Sequence, residues 1–247
     1  MDGRVNHDEV MALFDRQMRR DMPGAERGLR YTRNAGTAQD WNAVVWSDLD
    51  EETADAEIAE QVRYFAGRGV GFEWKTYGHD RPADLGARLE RAGFVPGEPE
   101  SLMIAPIGEL DLDVAPPDGV RLVPVTDAAG LALLIRASES AFGEPAGSWR
   151  HQEPASLRAF VAMAGDEPIS GARMEVHEGT AFASLWGGGT VEKWRGRGVY
   201  RALVACRARI AADLGYEYLQ VDASDQSRPI LLRLGFAAVG TTTPYHR

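Results

Sequence analysis

The sequence predicts an α/β protein in which a mixed, largely antiparallel sheet is flanked by helices. Three observations predict it. Strand-like runs alternate with amphipathic helical runs along the whole chain. A glycine-rich turn, Arg195-Gly196-Arg197-Gly198, joins one such strand to an alanine-rich helical run. An acidic stretch with two prolines, Asp111-Leu-Asp-Val-Ala-Pro-Pro-Asp-Gly119, marks a boundary between residues 1–112 and 113–247.

In chain order, His7 to Arg20 carries Val10, Leu13, Phe14 and Met18 on one helical side, and Pro23-Gly24 ends it. After a polar segment, Asn42 to Trp46 reads as a short strand. Thr53 is placed to cap a helix through Phe65, which Gly67 and Gly69 stop. From Val70 to Tyr77, Phe72, Trp74 and Thr76 fall on one face of a strand. Pro82 opens a helix to about Ala92, and Ser101 to Ile107 is a further strand. Past the boundary, Val120 to Val125 is a strand, and Thr126 or Asp127 caps a helix through Glu139. Gly143 to Glu153 is a loop rich in Gly and Pro, and Ser156 to Ala164 contains a strand. Ile169 to His177 and Thr180 to Leu185 form a hairpin around Glu178-Gly179. The helix Val199 to Leu214, a buried strand Tyr216 to Asp222, a helix near Pro229 and a terminal strand Ala237 to Pro244 complete the chain.

A faint repeat links the two units. Leu89-Glu-Arg-Ala-Gly-Phe94 is echoed by Leu231-Leu-Arg-Leu-Gly-Phe236, and each follows an Arg-Pro pair.

Composition excludes several function classes. Acids outnumber bases 37 to 27, for a net charge of −10, which disfavours nucleic acid or an anionic membrane as the main partner. Cys206 is the sole cysteine, so no intrachain disulfide forms, and a cytoplasmic location is expected. It shares the apolar spacing Val199, Leu203, Cys206, Ile210, Leu214, which makes it a packing residue rather than a nucleophile. No run approaches the ~20 apolar residues of a membrane span, and Met1 to Asp15 lacks an apolar signal core. No His/Cys/Asp spacing fits a zinc site, and no nucleophile elbow, P-loop or dinucleotide fingerprint is present.

The glycine turn is where chemistry concentrates. A helix leaves its first amides unpaired and carries about half a positive charge at that end. Gly196 and Gly198 allow an anion to approach the backbone. From Lys193 to Ala212 there is no Asp or Glu, while Lys193, Arg195, Arg197, Arg201, Arg207 and Arg209 are all basic. A bound phosphate follows from that pattern.

Arg195-x-x-Gly198-x-Tyr200 resembles the pyrophosphate-binding motif Gln/Arg-x-x-Gly-x-Gly/Ala of the GNAT N-acetyltransferase superfamily. Tyr200 departs from it with a large ring in the last position. The following helix, strand and Leu-Gly-Phe helix end agree in order over roughly the last half of the chain. The resemblance implies two GNAT-like halves, with acetyl-CoA (coenzyme A) bound by the second. Where the first half should carry the phosphate turn it has Trp46-Ser-Asp-Leu-Asp-Glu-Glu-Thr53, whose carboxylates repel a diphosphate. That half reads as degenerate, a scaffold or one wall of the acceptor pocket.

The resemblance further implies that Arg195, Gly196, Arg197, Gly198, Val199, Tyr200 and Arg201 surround the diphosphate, and that Gly188, Gly189 and Thr190 lie against the pantetheine arm. The expected reaction is acetyl transfer to a small-molecule or peptide amine by direct attack in a ternary complex. A base must take the amine proton; Asp222 and Glu175 are the candidates. In many family members a tyrosine four residues before the Gly-Phe pair protonates the departing thiolate. Leu231 stands there, so Tyr245, Ser227 or Tyr200 must serve, with Tyr245 preferred because the terminal strand ends near the acceptor site in this family. Leu231 equally favours a non-catalytic acyl-CoA-binding or regulatory module, and a protein-interaction scaffold without cofactor is the third reading. Oligomeric state, monomer or homodimer, stays open.

Overall fold

The fold is described from a computed structural model over residues 6–247; Met1 to Val5, part of the segment read above as lacking a signal core, lies outside them. The first unit runs α1 (His7–Phe14), which passes into a wider π-helical turn at Asp15–Arg20, then β1 (Glu26–Arg27), β2 (Tyr31–Asn34), β3 (Ala43–Ser47), α2 (Ala54–Arg68), β4 (Glu73–Tyr77), α3 (Leu85–Arg91), β5 (Val95–Pro96) and β6 (Glu100–Pro106). The second runs β7 (Val120–Pro124), α4 (Ala128–Phe142), β8 (Arg158–Ala164), β9 (Glu167–Val176), β10 (Phe182–Thr190), α5 (Val199–Asp213), β11 (Tyr218–Ala223), α6 (Arg228–Arg233) and β12 (Ala237–His246).

Local chemistry explains most of these bounds. Asp127 caps α4 by accepting from the Gly130 amide at 2.7 Å, and Gly143 ends it with φ +76°. Gly69 ends α2 in the same left-handed conformation, so Gly67 is helical rather than a stop. Thr53 does precede α2, but its hydroxyl donates to Asp50 instead of capping. The polar segment before β3 hides a hairpin, β1–β2, whose short strands carry too little alternation to announce themselves. β10 runs on through Gly187-Gly188-Gly189 to Thr190, longer than periodicity suggested.

All strands of the described residues join one sheet of 12 in the order β1-β2-β3-β4-β12-β6-β11-β10-β9-β8-β7, with β5 added to β12. Among the described residues only β3–β4 and β10–β11 are parallel, and each pair is bridged by one helix, α2 or α5. The strands that follow the two Gly-Phe helix ends change places. β6 lies between β11 and β12, while β12 lies between β6 and β4. Residue for residue, Val221 faces Met103 and Thr242 faces Tyr77.

Packing does not stop at residue 112: Met103 and Ala105 of β6 lie in the core under α5, and Phe182 of β10 packs with Phe14 and Tyr77. Under the second unit, Val204, Ala208 and Ala211 of α5 meet Met174, Leu185, Leu219, Val221 and Met103 of the sheet. Under the first, Ile58 and Phe65 of α2 pack with Val44, Trp74 and Phe94. The buried side of α5 is broader than the predicted stripe: it is centred on alanines, and Leu214 is left 49% exposed beyond the helix end. No helix among the described residues is long and apolar enough to cross a membrane.

Because β6 completes the sheet beside β11, residues 113–247 expressed alone should fail to fold. That fragment would expose the facing edges of β11 and β12, and the buried Leu102, Met103 and Ile104 would be missing. Circular dichroism and amide exchange on the fragment, alone and mixed with residues 1–112, check this. A cooperative unfolding transition for 113–247 alone would contradict it.

Candidate active site

β10 and β11 are paired only through Phe182–Tyr218, Ala183–Leu219 and Ser184–Gln220. Beyond Ser184 the two strands diverge, and β10 bulges between Trp186 and Gly189 with Gly187 at φ +58°. The divergence leaves that side of β10 past Ser184 without a strand partner among the described residues. Glycines let this segment sit close to its neighbours. A Cβ on Gly189 would come within 2.6 Å of Phe142 of α4, and one on Gly188 within 2.6 Å of the Tyr200 ring. The Gly189 carbonyl and the Thr190 hydroxyl both bond to Ser170 Oγ, at 2.6 and 2.9 Å.

At the open end of the divergence stands the turn into α5. Gly196 (φ +74°) and Gly198 (φ +88°) are left-handed, a backbone conformation of the kind that turns successive amides toward one side. Arg195 donates its backbone amide to Glu192, and Ala202 donates its own to Gly198. Between them, the amides of Gly196, Arg197, Gly198, Val199, Tyr200 and Arg201 meet no protein acceptor among the described residues. Gly196 faces open space, and the nearest atom to a Cβ on Gly198 is Pro117 at 4.0 Å.

The basic side chains divide into two groups. Lys193 is held by Glu167 at 2.7 Å, and Arg195 bonds the carbonyls of Thr190 (2.9 Å) and Ala141 (3.1 Å), which fixes the turn. Arg197, stacked over Trp194 at 5.0 Å, and exposed Arg201 flank the amides without a carboxylate partner among the described residues.

On the other face of the sheet, polar side chains form a chain across the strands. His177 bonds Ser184 Oγ at 2.8 Å, Ser184 donates to Gln220 at 2.7 Å, and Gln220 donates to Asp222 at 3.0 Å. Lys75 of β4 closes the chain with a 2.6 Å bond to Asp222. Burial alone would lower Lys75, but the Asp222 carboxylate outweighs it and keeps the ammonium charged. Burial and the nearby Asp222 push the Glu100 carboxyl above its ordinary value. Glu175, directly opposite Ser184 in the β9–β10 ladder, is half exposed; burial raises its carboxyl, and Arg173 at 3.9 Å pulls it back. The Trp186 indole N–H lies near Glu175 and is buried with no hydrogen-bond partner among the described residues. Trp149, from the Gly143 to Glu153 loop, covers Arg173 at 4.8 Å.

The candidates are therefore not gathered alike. Asp222 reaches the divergence but is tied to Lys75 and Gln220. Glu175 is freer. Tyr245 is not brought there, because β6 stands between β11 and β12; its hydroxyl instead crowds Gly86 of α3. Ser227 bonds the Ser224 carbonyl within the turn before α6, and Leu231 is fully buried. Cys206 is half buried, and burial raises its thiol, as befits a packing residue. Lys75, Glu100 and Arg173 were missed from sequence. One signal was available: an Asp ending a buried strand needs a cation, and the alternation Phe72, Trp74, Thr76 turns Lys75 to the opposite face.

His177 gives a testable pH dependence. Burial pushes its imidazole down to about 4. The unfolded chain then binds the extra proton between the free value of ~6.5 and that value, so stability falls as pH drops through this window. The loss should be on the order of 2 kcal/mol for this partly covered ring. Melting curves from pH 7 to about 4 should show it shrinking in His177→Asn; an identical slope in the two proteins would refute the assignment.

No protein-family model matches the sequence, and no curated protein matches it. Solved structures do. A GCN5-related N-acetyltransferase from Kribbella flavida superposes with a TM-score of 0.68 at 16% identity, over 97% of this chain and 93% of that one. One from Sphaerobacter thermophilus gives 0.61 at 13% identity, over 98% and 85%. A tandem GNAT protein from the clavulanic acid biosynthesis pathway gives 0.60 at 11%, over 92% and 84%. The mixed, largely antiparallel sheet, the diverging β10–β11 pair and these superpositions agree: this chain has the fold of the GCN5-related N-acetyltransferases.

Proposed function

We propose that the chain is an acetyl-CoA-dependent N-acyltransferase with two GNAT-like halves, residues 1–112 degenerate and residues 113–247 active. The observation that carries the reading is the run of free amides from Gly196 to Arg201 at the mouth of the β10–β11 divergence. The diphosphate of coenzyme A fits that run, since its oxygens need several donors converging on one place. Arg197 and Arg201 add charge, and Arg195 shapes the turn. The free edge of β10 from Gly188 to Thr190 receives the pantetheine arm as an added strand would be received.

The acceptor amine sits on the polar face, above Glu175, Trp186 and Asp222. Glu175 is the better base, because burial raises its carboxyl above the ordinary value and Arg173 holds it only loosely. Asp222, bound to Lys75, orients the floor of the site. The tandem arrangement draws support from the repeated Leu-x-x-x-Gly-Phe segments and from the two parallel pairs bridged by one helix. In the first half α2 begins after carboxylates, and Asp50 caps that turn through Thr53 and Glu52, so the place is filled.

Calorimetry with acetyl-CoA should show micromolar to submillimolar binding, and transfer should follow to some member of a broad amine panel. Absence of binding at millimolar acetyl-CoA ends the reading. Buried Leu231 favours a second one, a non-catalytic acyl-CoA-binding or regulatory module. Binding without transfer to any amine, and without slow hydrolysis, would favour it.

A further inference from the structure

Two departures from the family pattern meet at one place in the structure. Tyr200 stands where a small residue is expected, and Leu231 stands where a tyrosine is expected. Tyr200 packs against the same core cluster that contains Leu231, Leu185 and Val221. From the first turn of α5 its ring reaches β10 at the bulge, where a Cβ on Gly188 would come within 2.6 Å of it. A tyrosine at position 231 would enter that cluster from α6.

Two turns further along the same face of α5 lies Arg207, only 1% exposed. It donates to the carbonyls of Leu203 at 3.0 Å and Arg173 at 2.8 Å, and has no carboxylate partner among the described residues. A buried guanidinium without a counter-charge is costly. Burial pushes it down to about 10, opposed by Tyr200 and Cys206, while Arg173 adds to the depression. Burial likewise raises the Tyr200 phenol, which Arg207 pulls back, so Tyr200 carries its proton at neutral pH. A cation stored there has a purpose if negative charge appears beside it during turnover.

Resting on the acyltransferase reading, we propose that Tyr200 is the acid that protonates the departing thiolate, and that Arg207 stabilises the phenolate formed. The amine nitrogen bonds to the acetyl carbon, the carbon–sulfur bond breaks, and sulfur takes the phenolic proton. The proton given up by the amine leaves through Glu175 or water, and solvent restores the phenol, so the products are amide and free thiol. Tyr200 is then the residue that compensates for Leu231, and its size is the reason for the unusual motif.

The test uses the full chain and coenzyme A itself. The thiolate fraction of bound coenzyme A, followed by its ultraviolet absorbance against pH, should exceed that of the free compound by about tenfold at a given pH. Tyr200→Phe and Arg207→Met should each return it toward the free value, with calorimetric affinity changed less than about threefold. Thiol release from acetyl-CoA, with benzylamine or water as acceptor, should fall about 100-fold in Tyr200→Phe. If the wild type binds no coenzyme A, the acyltransferase reading fails and takes this one with it. If it binds, but Tyr200→Phe keeps both the thiolate fraction and the release rate within twofold, only the role of Tyr200 is lost. Tighter binding with unchanged release in Tyr200→Ala would likewise overturn it, making the ring a mere cover. Melting curves of each variant separate these outcomes from misfolding.

Discussion

Gly198→Glu should abolish coenzyme A binding, weakening it by at least about 100-fold, while the protein stays folded. Two effects add. At φ +88° any side chain strains the backbone, by roughly 1–2 kcal/mol for an L-residue in the left-handed region. The carboxylate would then sit among the amides from Gly196 to Arg201, offering them an internal acceptor and repelling a diphosphate. Nothing closer than Pro117 at 4.0 Å meets the new Cβ, so the substitution need not disturb packing. Gly198→Ala isolates the strain and should weaken binding only about tenfold. Calorimetry with coenzyme A checks both. Equal losses for Ala and Glu would mean that charge plays no part and that the amides do not hold the diphosphate.

Lys75→Met should lower the melting temperature by about 10 °C. Lys75 and Asp222 are 10% and 2% exposed and 2.6 Å apart, so removing the ammonium leaves a carboxylate buried with Gln220 as its remaining partner. Breaking such a pair costs about 3–5 kcal/mol, and each kcal/mol is worth roughly 2–4 °C at this chain length. Asp222→Leu combined with Lys75→Met should recover most of the loss, since matched apolar replacements avoid the stranded charge. Lys75 is raised in the folded state, so the contribution of its own ionisation is fully present below the unfolded lysine value of ~10.4 and is lost as pH rises through the higher folded value. Scanning calorimetry of the wild type and the two variants decides the matter. A single variant melting within about 2 °C of wild type would show that the pair does not bind β4 to β11 as the geometry requires.

Much of the site was legible because it is local. The turn Arg195-Gly196-Arg197-Gly198 needs only its own glycines to adopt left-handed backbone, and the helix behind it supplies free amides whatever lies elsewhere. The strand-turn-helix order and the Gly-Phe helix ends depend likewise on neighbours within a few residues. The hairpin β1–β2 was not legible, since strands of two and four residues show no period. Arg195 was assigned to the diphosphate on its charge, yet its guanidinium holds the turn through two carbonyls.

What the sequence determined by itself, then, is the alternation of elements, the sheet class and the left-handed glycine turn, because each is set by spacing and backbone freedom inside one segment. Only the tertiary structure decided that β6 and β12 exchange places, that Tyr245 is carried away from the divergence, and that Lys75 meets Asp222 from 147 residues away. Strand order and buried charge pairing are choices among distant partners of equal local quality. They are settled by which cores close and which buried charges find a counter-ion, and no stretch of sequence holds that information alone.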